Sequence, residues 1–166
     1  LRAGYVSPGH NSTIYQKETG KYFIIFHTRF ENRGEMHQVR VHQMFLNEDG
    51  WFVIAPYRYT GETIGSYTED DIVGAYKLIN HGRDISKFVK KSVNVVLQED
   101  HTIIGDVHGT WELKGDNTCI LTIDGKEYKG VFLKQWDENG LKNVMTFTVL
   151  SDEGIAIWGS GYKALD

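Results

Sequence analysis

Residues 38–55 read QVRVHQMFLNEDGWFVIA, and this stretch decides the fold class of the first third of the chain. From Gln38 to Asn47, successive side chains alternate between two faces, as they do in a strand. Asn47–Gly50 has the composition of a hairpin turn, and Trp51–Ala55 returns from it as a second strand. Pro56 ends that strand, because proline cannot donate to a ladder of hydrogen bonds. The stretch therefore predicts antiparallel β-structure.

Two more strands are predicted upstream of this hairpin. Asn11–Tyr15 ends at a turn over Glu18–Lys21, and Tyr22–Thr28 follows as an apolar run. Together with the hairpin they predict a four-stranded antiparallel meander, which is the unit of a β-propeller blade. A single blade cannot bury both of its faces alone.

Downstream of Pro56 the alternation is lost over Tyr57–Asp71, which predicts a linker with a domain boundary near residue 65. We therefore expect an amino-terminal domain over residues 1–65 and a second domain over residues 66–166. Asp84–Val89 is predicted as one helical turn, and no helix-initiating motif is recognised elsewhere. The strand pattern resumes in eight stretches: Ala75–Asn80, Ser92–Gln98, Thr102–Val107, Gly109–Leu113, Cys119–Ile123, Lys126–Gln135, Val144–Leu150 and Ile155–Gly159. Their nearly regular spacing predicts a small antiparallel barrel or sandwich.

Composition excludes several classes of function. The 166 residues are 40% apolar and 24% charged, as in an ordinary globular protein. The net charge is −4 without a basic block, which disfavours a nucleic-acid partner. No apolar run approaches the roughly 18 residues that span a bilayer, so no membrane partner is expected. The lone Cys119 excludes a disulfide framework and a multi-cysteine metal site.

Histidines are the first candidate site residues. His10 lies in a turn-like stretch, Ser7–Ser12, at the predicted start of a strand, where a neutral imidazole can bind a metal or simply form a hydrogen bond. His37 and His42 are five residues apart and should point to opposite faces of their strand. His27 could neighbour His42 across strands, but no nearby carboxylate completes a metal site.

No catalytic set is predicted from the residues themselves. Ser12 lies beside His10, but no nucleophile elbow surrounds it. The acidic residues lie mostly in turns, and Glu112 and Glu127 are expected on solvated strand faces rather than as the facing pair that glycoside hydrolysis needs.

Aromatic residues of the second domain are candidates for stacking on sugar rings, or else for its core. Trp136 is the best candidate for exposure, because it precedes a turn. The set comprises Trp111, Tyr128, Trp136, Trp158 and Tyr162.

Two groups of sequence motifs carry a family resemblance. The first group is Ser7–Ser12, Lys21–Phe23, Phe26–Phe30, Arg40–Trp51 and Ala55–Glu62. It resembles the last propeller blade of the endo-α-1,5-L-arabinanases of glycoside hydrolase family 43. The second group is Asn80–Gly82, Lys90–Val93, Gly109–Trp111 and Trp158–Gly159. It resembles the carboxy-terminal β-barrel of the larger secreted members.

The resemblance implies a five-bladed propeller that inverts configuration at the sugar. The general base, the general acid and a third Asp come from earlier blades in that family, so no catalytic residue is expected in this chain. His10 matches a family histidine that lies beside a hydrated metal, usually calcium. His10 is therefore expected to bind calcium in the intact enzyme, with water supplying most of the six to eight ligands.

These implications define the expected function. The chain is expected to be the carboxy-terminal part of a secreted enzyme that hydrolyses plant cell-wall arabinan, and to be inactive alone. Its expected partners are arabinan or arabino-oligosaccharides and the missing amino-terminal blades. These blades are expected either in a longer protein of which this chain is a fragment or on a separate chain. Two alternatives stay open for the barrel: a module that binds polysaccharide through exposed aromatics, and a purely structural cap.

Overall fold

A computed structural model describes residues 4–30, 32–34, 36–86 and 88–166 of the chain. The described residues form two antiparallel sheets, one of four strands and one closed into an eight-stranded barrel. The predicted all-β class is confirmed. The only helix among the described residues is α1, a single turn over Glu69–Ile72.

The first sheet has its strands in chain order. They are β1 (Tyr5–Gln16), β2 (Lys21–Phe30), β3 (Gln38–Leu46) and β4 (Phe52–Ile54). All three pairings are antiparallel, which confirms the four-stranded sheet. Long hairpins joined by short turns account for this order, because neighbouring strands pair with little loss of chain entropy.

Strand β1 differs from its prediction at its amino-terminal end. It begins at Tyr5, so the stretch Ser7–His10 lies inside the strand and not in a turn before it. The pairing of β1 with β2 shifts register on both sides of Gly9, and both Ser7 and His10 have φ of 49°. Such irregularities characterise β-bulges. Pro8 is tolerated there because β1 is an edge strand.

The helix prediction was wrong in its position. The described residues of Asp84–Val89, which exclude Lys87, form bends and no helix. Helix α1 instead begins after Thr68, whose side chain accepts from Asp71 N while the Asp71 carboxylate accepts from Thr68 N. This capping box is a local sequence signal, carried by Thr68 and Asp71, that the helix prediction missed.

The barrel consists of the remaining eight strands, and its closure confirms the predicted barrel. Strand β9 pairs with β10, which completes the circle in the order β10-β11-β12-β5-β6-β7-β8-β9. The strands are β5 (Gly74–Asn80), β6 (Val93–Leu97), β7 (Thr102–Gly105), β8 (Gly109–Lys114), β9 (Thr118–Ile123), β10 (Lys126–Asp137), β11 (Lys142–Ser151) and β12 (Ala156–Gly161).

Large side chains fill the barrel core. Tyr76, Trp111, Phe132 and Phe147 are each at most 2% exposed and belong to one hydrophobic cluster. The polar atoms among them have partners: Trp111 Nε1 donates to Gln98 O at 2.9 Å, and the Tyr76 hydroxyl donates to the Ile72 carbonyl at 2.6 Å. This cluster packs the barrel interior like an ordinary protein core.

A buried glutamine joins the barrel to the segment that follows β4. Gln135 on β10 is 1% exposed, accepts from Tyr57 N at 3.1 Å and donates to Tyr57 O at 3.2 Å. It also donates to Glu62 at 2.8 Å and accepts from Thr146 at 3.2 Å. The Tyr57 hydroxyl and the Ser160 hydroxyl are 2.8 Å apart. These contacts hold the linker against the barrel wall.

Candidate functional site

His10 is an exposed residue on edge strand β1. Its ring centre lies 5.2 Å from that of His27, which in turn lies 4.5 Å from that of His37. The three rings therefore form a row. Sequence analysis did not predict this row, because the contact depends on the register of β1 against β2 and on the loop that carries His37.

The predicted proximity of His27 and His42 was wrong. His27 pairs with Val39 and His42 pairs with Ile24, so the two side chains lie on opposite faces of the sheet. His37 and His42 were expected on opposite faces of one strand, but β3 begins at Gln38, so His37 lies before the strand. His37 contacts the His27 ring, whereas His42 contacts the Tyr5 and Phe26 rings.

Burial and neighbouring charges lower the pKa values of His27 and His42. The pKa of His27 lies below its ordinary value, first through desolvation and then through electrostatic repulsion from His37, His10 and Arg29. Burial lowers the pKa of His42 to about 4. His42 Nδ1 donates to Ala55 O at 2.7 Å, and its Nε2 accepts from the Tyr5 hydroxyl at 3.1 Å. His42 is thus a neutral structural residue.

The chemistry of the donors limits metal binding. Among residues 4–30, 32–34, 36–86 and 88–166, no three His, Cys, Asp or Glu side chains are grouped so as to hold an ion. Calcium takes six to eight oxygen ligands, and His10 could supply only one nitrogen. The described residues therefore do not form a calcium site by themselves.

Four carboxyl groups have pKa values shifted away from those of a general acid. Such an acid needs a raised pKa. Hydrogen bonds and basic neighbours instead lower the pKa of Asp71, Asp84, Asp100 and Glu153. Glu112 and Glu127 are exposed, as predicted.

The five aromatic candidates are divided between core and surface. Trp111 and Tyr128 are buried, at 2% and 4% exposure. Trp158 is partly buried, and its ring lies 4.3 Å from that of His81 and 6.2 Å from that of His42. Trp136 and Tyr162 are 37% and 46% exposed, so the predicted exposure of Trp136 is confirmed.

Trp136 lines a cleft at the junction between linker and barrel. The cleft has a volume of about 560 Å³ and lies between Arg58 and Thr60–Thr63 on one side and residues near the β10–β11 hairpin on the other. We call it the rim cleft. Arg58 and Glu138 form an ion pair at its edge, and both side chains are about half exposed.

Comparison with known families identifies the barrel. Residues 56–159 match the model of the GH43 C-terminal lipocalin-like domain, and this range includes strands β5–β11 and the first part of β12. The chain belongs to this family.

Two relatives are similar to the chain over the four-stranded sheet as well as over the barrel. The chain is 57% identical over 157 residues to extracellular endo-alpha-(1->5)-L-arabinanase 2 of Bacillus subtilis, covering 95% of the chain and 34% of that relative. It is 53% identical over 159 residues to the extracellular arabinanase of Thermotoga petrophila, covering 94% of the chain and 34% of that relative. The chain thus spans about a third of the length of these relatives.

Solved structures show the same arrangement. The glycoside hydrolase family 43 YxiA protein of Bacillus licheniformis matches with a TM-score of 0.95 and 51% identity, over 98% of the chain and 37% of that protein. Endo-1,5-alpha-L-arabinanase of Thermotoga petrophila matches with a TM-score of 0.92 and 52% identity, over 96% of the chain and 36% of that protein.

No helix in the described part of the chain has the length and apolar character needed to cross a membrane.

Proposed function

We propose that this chain functions as the carboxy-terminal part of an extracellular endo-α-1,5-L-arabinanase that hydrolyses plant cell-wall arabinan. One observation carries the proposal: the similarity to two arabinanases includes both sheets and the linker between them, at more than 50% identity over 94–95% of the chain. The proposal includes the propeller, with the four-stranded sheet as its last blade.

Catalysis in this proposal uses carboxylates from the two thirds of the relatives that the chain does not span. The lowered pKa values of Asp71, Asp84, Asp100 and Glu153 support this division, because none of these groups suits proton donation to a leaving oxygen. We propose the inverting route, in which one carboxyl protonates the glycosidic oxygen and another activates water on the opposite face.

The barrel is proposed to support the last blade. Gln135 binds the linker through buried hydrogen bonds. Asn47 at the β3–β4 turn lies within reach of Lys129 O, and Lys129 pairs with Asp49 at 3.0 Å. The barrel is therefore joined to the four-stranded sheet by a buried polar network and by contacts of the β3–β4 turn. Such contacts favour one rigid unit over two domains joined only by a flexible linker.

His10 is proposed to supply one ligand to calcium in the longer enzyme, with water and groups outside this chain completing the coordination. Its exposure and its position on edge strand β1 leave the imidazole accessible to such a site. A neutral imidazole is required, because a metal and a proton compete for the same nitrogen.

The test compares the 166-residue chain with a longer enzyme that also includes the part of the relatives that the chain does not span. We expect the longer enzyme to release reducing ends from linear arabinan and the 166-residue chain to release none. His10→Ala in the longer enzyme should lower its calcium content and its rate while leaving the fold intact. Hydrolysis by the purified 166-residue chain would refute the placement of the carboxylates. Unchanged calcium content in His10→Ala would remove His10 from the site.

A further inference from the structure

The rim cleft has the form of a small-molecule site. Its volume of about 560 Å³ falls within the range of roughly 300–1,000 Å³ that is typical of ligand pockets. It contains one large aromatic side chain, Trp136, at 37% exposure, among polar groups. Flat aromatic rings bury the C–H face of a sugar while polar neighbours bind its hydroxyl groups.

The linker wall of the cleft is held rigid by hydrogen bonds. The Glu62 carboxylate accepts from Thr60 N at 2.7 Å and from Thr60 Oγ1 at 3.1 Å, and its other oxygen accepts from buried Gln135 at 2.8 Å. Behind it, Lys21 Nζ donates to Glu62 O at 2.8 Å and to Thr63 Oγ1 at 3.0 Å. A preformed wall lowers the entropic cost of binding a ligand.

The charges of the cleft favour a neutral, hydroxyl-rich ligand. The positive charge of Arg58 is balanced by the negative charge of Glu138, with which it forms an ion pair. Lys134 and Glu62 likewise carry opposite formal charges, so the four charged side chains of the cleft sum to zero. Arg58 Nε and Nη2 both donate to one oxygen, Glu138 Oε1, so the pair presents a carboxylate acceptor and a guanidinium donor side by side. Adjacent sugar hydroxyls match such a pair, since each hydroxyl both donates and accepts.

We propose that the rim cleft is a saccharide-binding site that holds a segment of the arabinan chain. Trp136 stacks on a sugar ring, and Arg58 and Glu138 bind its hydroxyls. The choice of arabinan as the ligand rests on the proposed function. The barrel would then have both of the roles considered above, polysaccharide binding and structural support. The linker that packs against the barrel also forms one wall of the cleft.

The experiment titrates the 166-residue chain with arabinohexaose and, in parallel, with xylohexaose and cellohexaose. Binding is followed by calorimetry and by the NMR signal of each tryptophan indole N–H. We expect saturable binding of arabinohexaose with a shift of the Trp136 signal. Trp136→Ala should raise Kd about tenfold, the change that 1.4 kcal/mol produces, and Glu138→Gln should raise it several-fold.

Trp51→Ala is the matched control. Trp51 is a tryptophan with 68% exposure at the β3–β4 turn, outside the cleft, so its removal should leave Kd unchanged. Trp136→Phe keeps a flat ring and should retain most of the affinity, with circular dichroism confirming the fold of every variant. No saturable binding, or binding that Trp136→Ala does not weaken, overturns the proposal. A cleft that binds only xylohexaose or cellohexaose overturns the choice of arabinan. None of these results affects the proposed hydrolysis, which is measured on the longer enzyme.

Discussion

At the scale of the residue, His42 is a buried base that the fold keeps neutral. It is fully buried, and both ring nitrogens have partners, Ala55 O and the Tyr5 hydroxyl. Its pKa falls to about 4 from 6.5, so the unfolded chain binds a proton that the folded chain does not. The stability contributed by neutral His42 is complete above the unfolded pKa and is lost as pH falls toward 4. We expect this loss to reach about 3 kcal/mol in the free energy of unfolding between pH 7 and pH 4.

Urea unfolding at pH 7, 5.5 and 4 measures this dependence. The variant His42→Asn keeps a donor on a shorter side chain and removes the titration, so its stability should fall less steeply with acid than that of the parent. Carboxylates with lowered pKa also make the free energy of unfolding fall with acid, but they do so equally in both proteins. Their contribution therefore cancels when the stability of the variant is subtracted from that of the parent. Parallel pH profiles for the two proteins would contradict the assignment.

At the scale of the element, Gly130 on β10 lies directly against the backbone of β11. A Cβ on Gly130 would lie 1.8 Å from the Thr148 carbonyl oxygen, which belongs to backbone and cannot rotate away. Gly130→Ala therefore forces the two strands apart and should lower the free energy of unfolding by about 3 kcal/mol. Thermal or urea unfolding gives the value.

The comparison variant for Gly130→Ala is Gly65→Ala in the linker. A Cβ on Gly65 would meet only the Tyr67 ring, at an ordinary 3.9 Å. We expect a change within about 1 kcal/mol, and in the stabilising direction, because alanine restricts the unfolded chain. Equal effects at the two positions would show that the close approach of β10 and β11 does not limit the side chain.

At the scale of the whole molecule, Gln135 connects linker and barrel. Gln135→Leu has a similar volume but leaves the Tyr57 backbone groups and Glu62 without their buried partner. Each buried polar group left unsatisfied costs roughly 1–3 kcal/mol, so we expect a loss of about 3 kcal/mol in stability. Hydrogen exchange at the Tyr57 amide should also become faster, since the linker opens locally.

Lys114→Gln tests whether surface contacts between the sheet and the barrel matter as much. Lys114 pairs with Glu48 at 2.5 Å, but both side chains are partly exposed, and such pairs contribute within about 1 kcal/mol. We expect little change in stability and none at the Tyr57 amide. If Lys114→Gln had the larger effect, the ion pairs rather than Gln135 would hold the two sheets together.

Local sequence patterns were sufficient to predict the strands, because alternation and turn residues act over a few neighbouring positions. Alternation over Gln38–Asn47 and the turn over Asn47–Gly50 predicted the β3–β4 hairpin within one residue at most strand ends. Every barrel strand was located from the turns that bound it. The same local reasoning located Trp136 at the surface, since it precedes a turn. Helix α1 was within reach of such reasoning too, through the Thr68 capping box.

Contacts between residues far apart in the sequence could be identified only from the folded structure. The row of His10, His27 and His37 depends on strand register and on bulges in β1, which alternation does not specify. Arg58 and Glu138 are 80 positions apart, and their ion pair exists because the linker packs against the β10–β11 hairpin. Closure of the barrel by β9 and β10 likewise required all eight strands to adopt consistent tilt and register. Local patterns determine which residues form strands, whereas contacts between distant residues depend on how the whole chain packs.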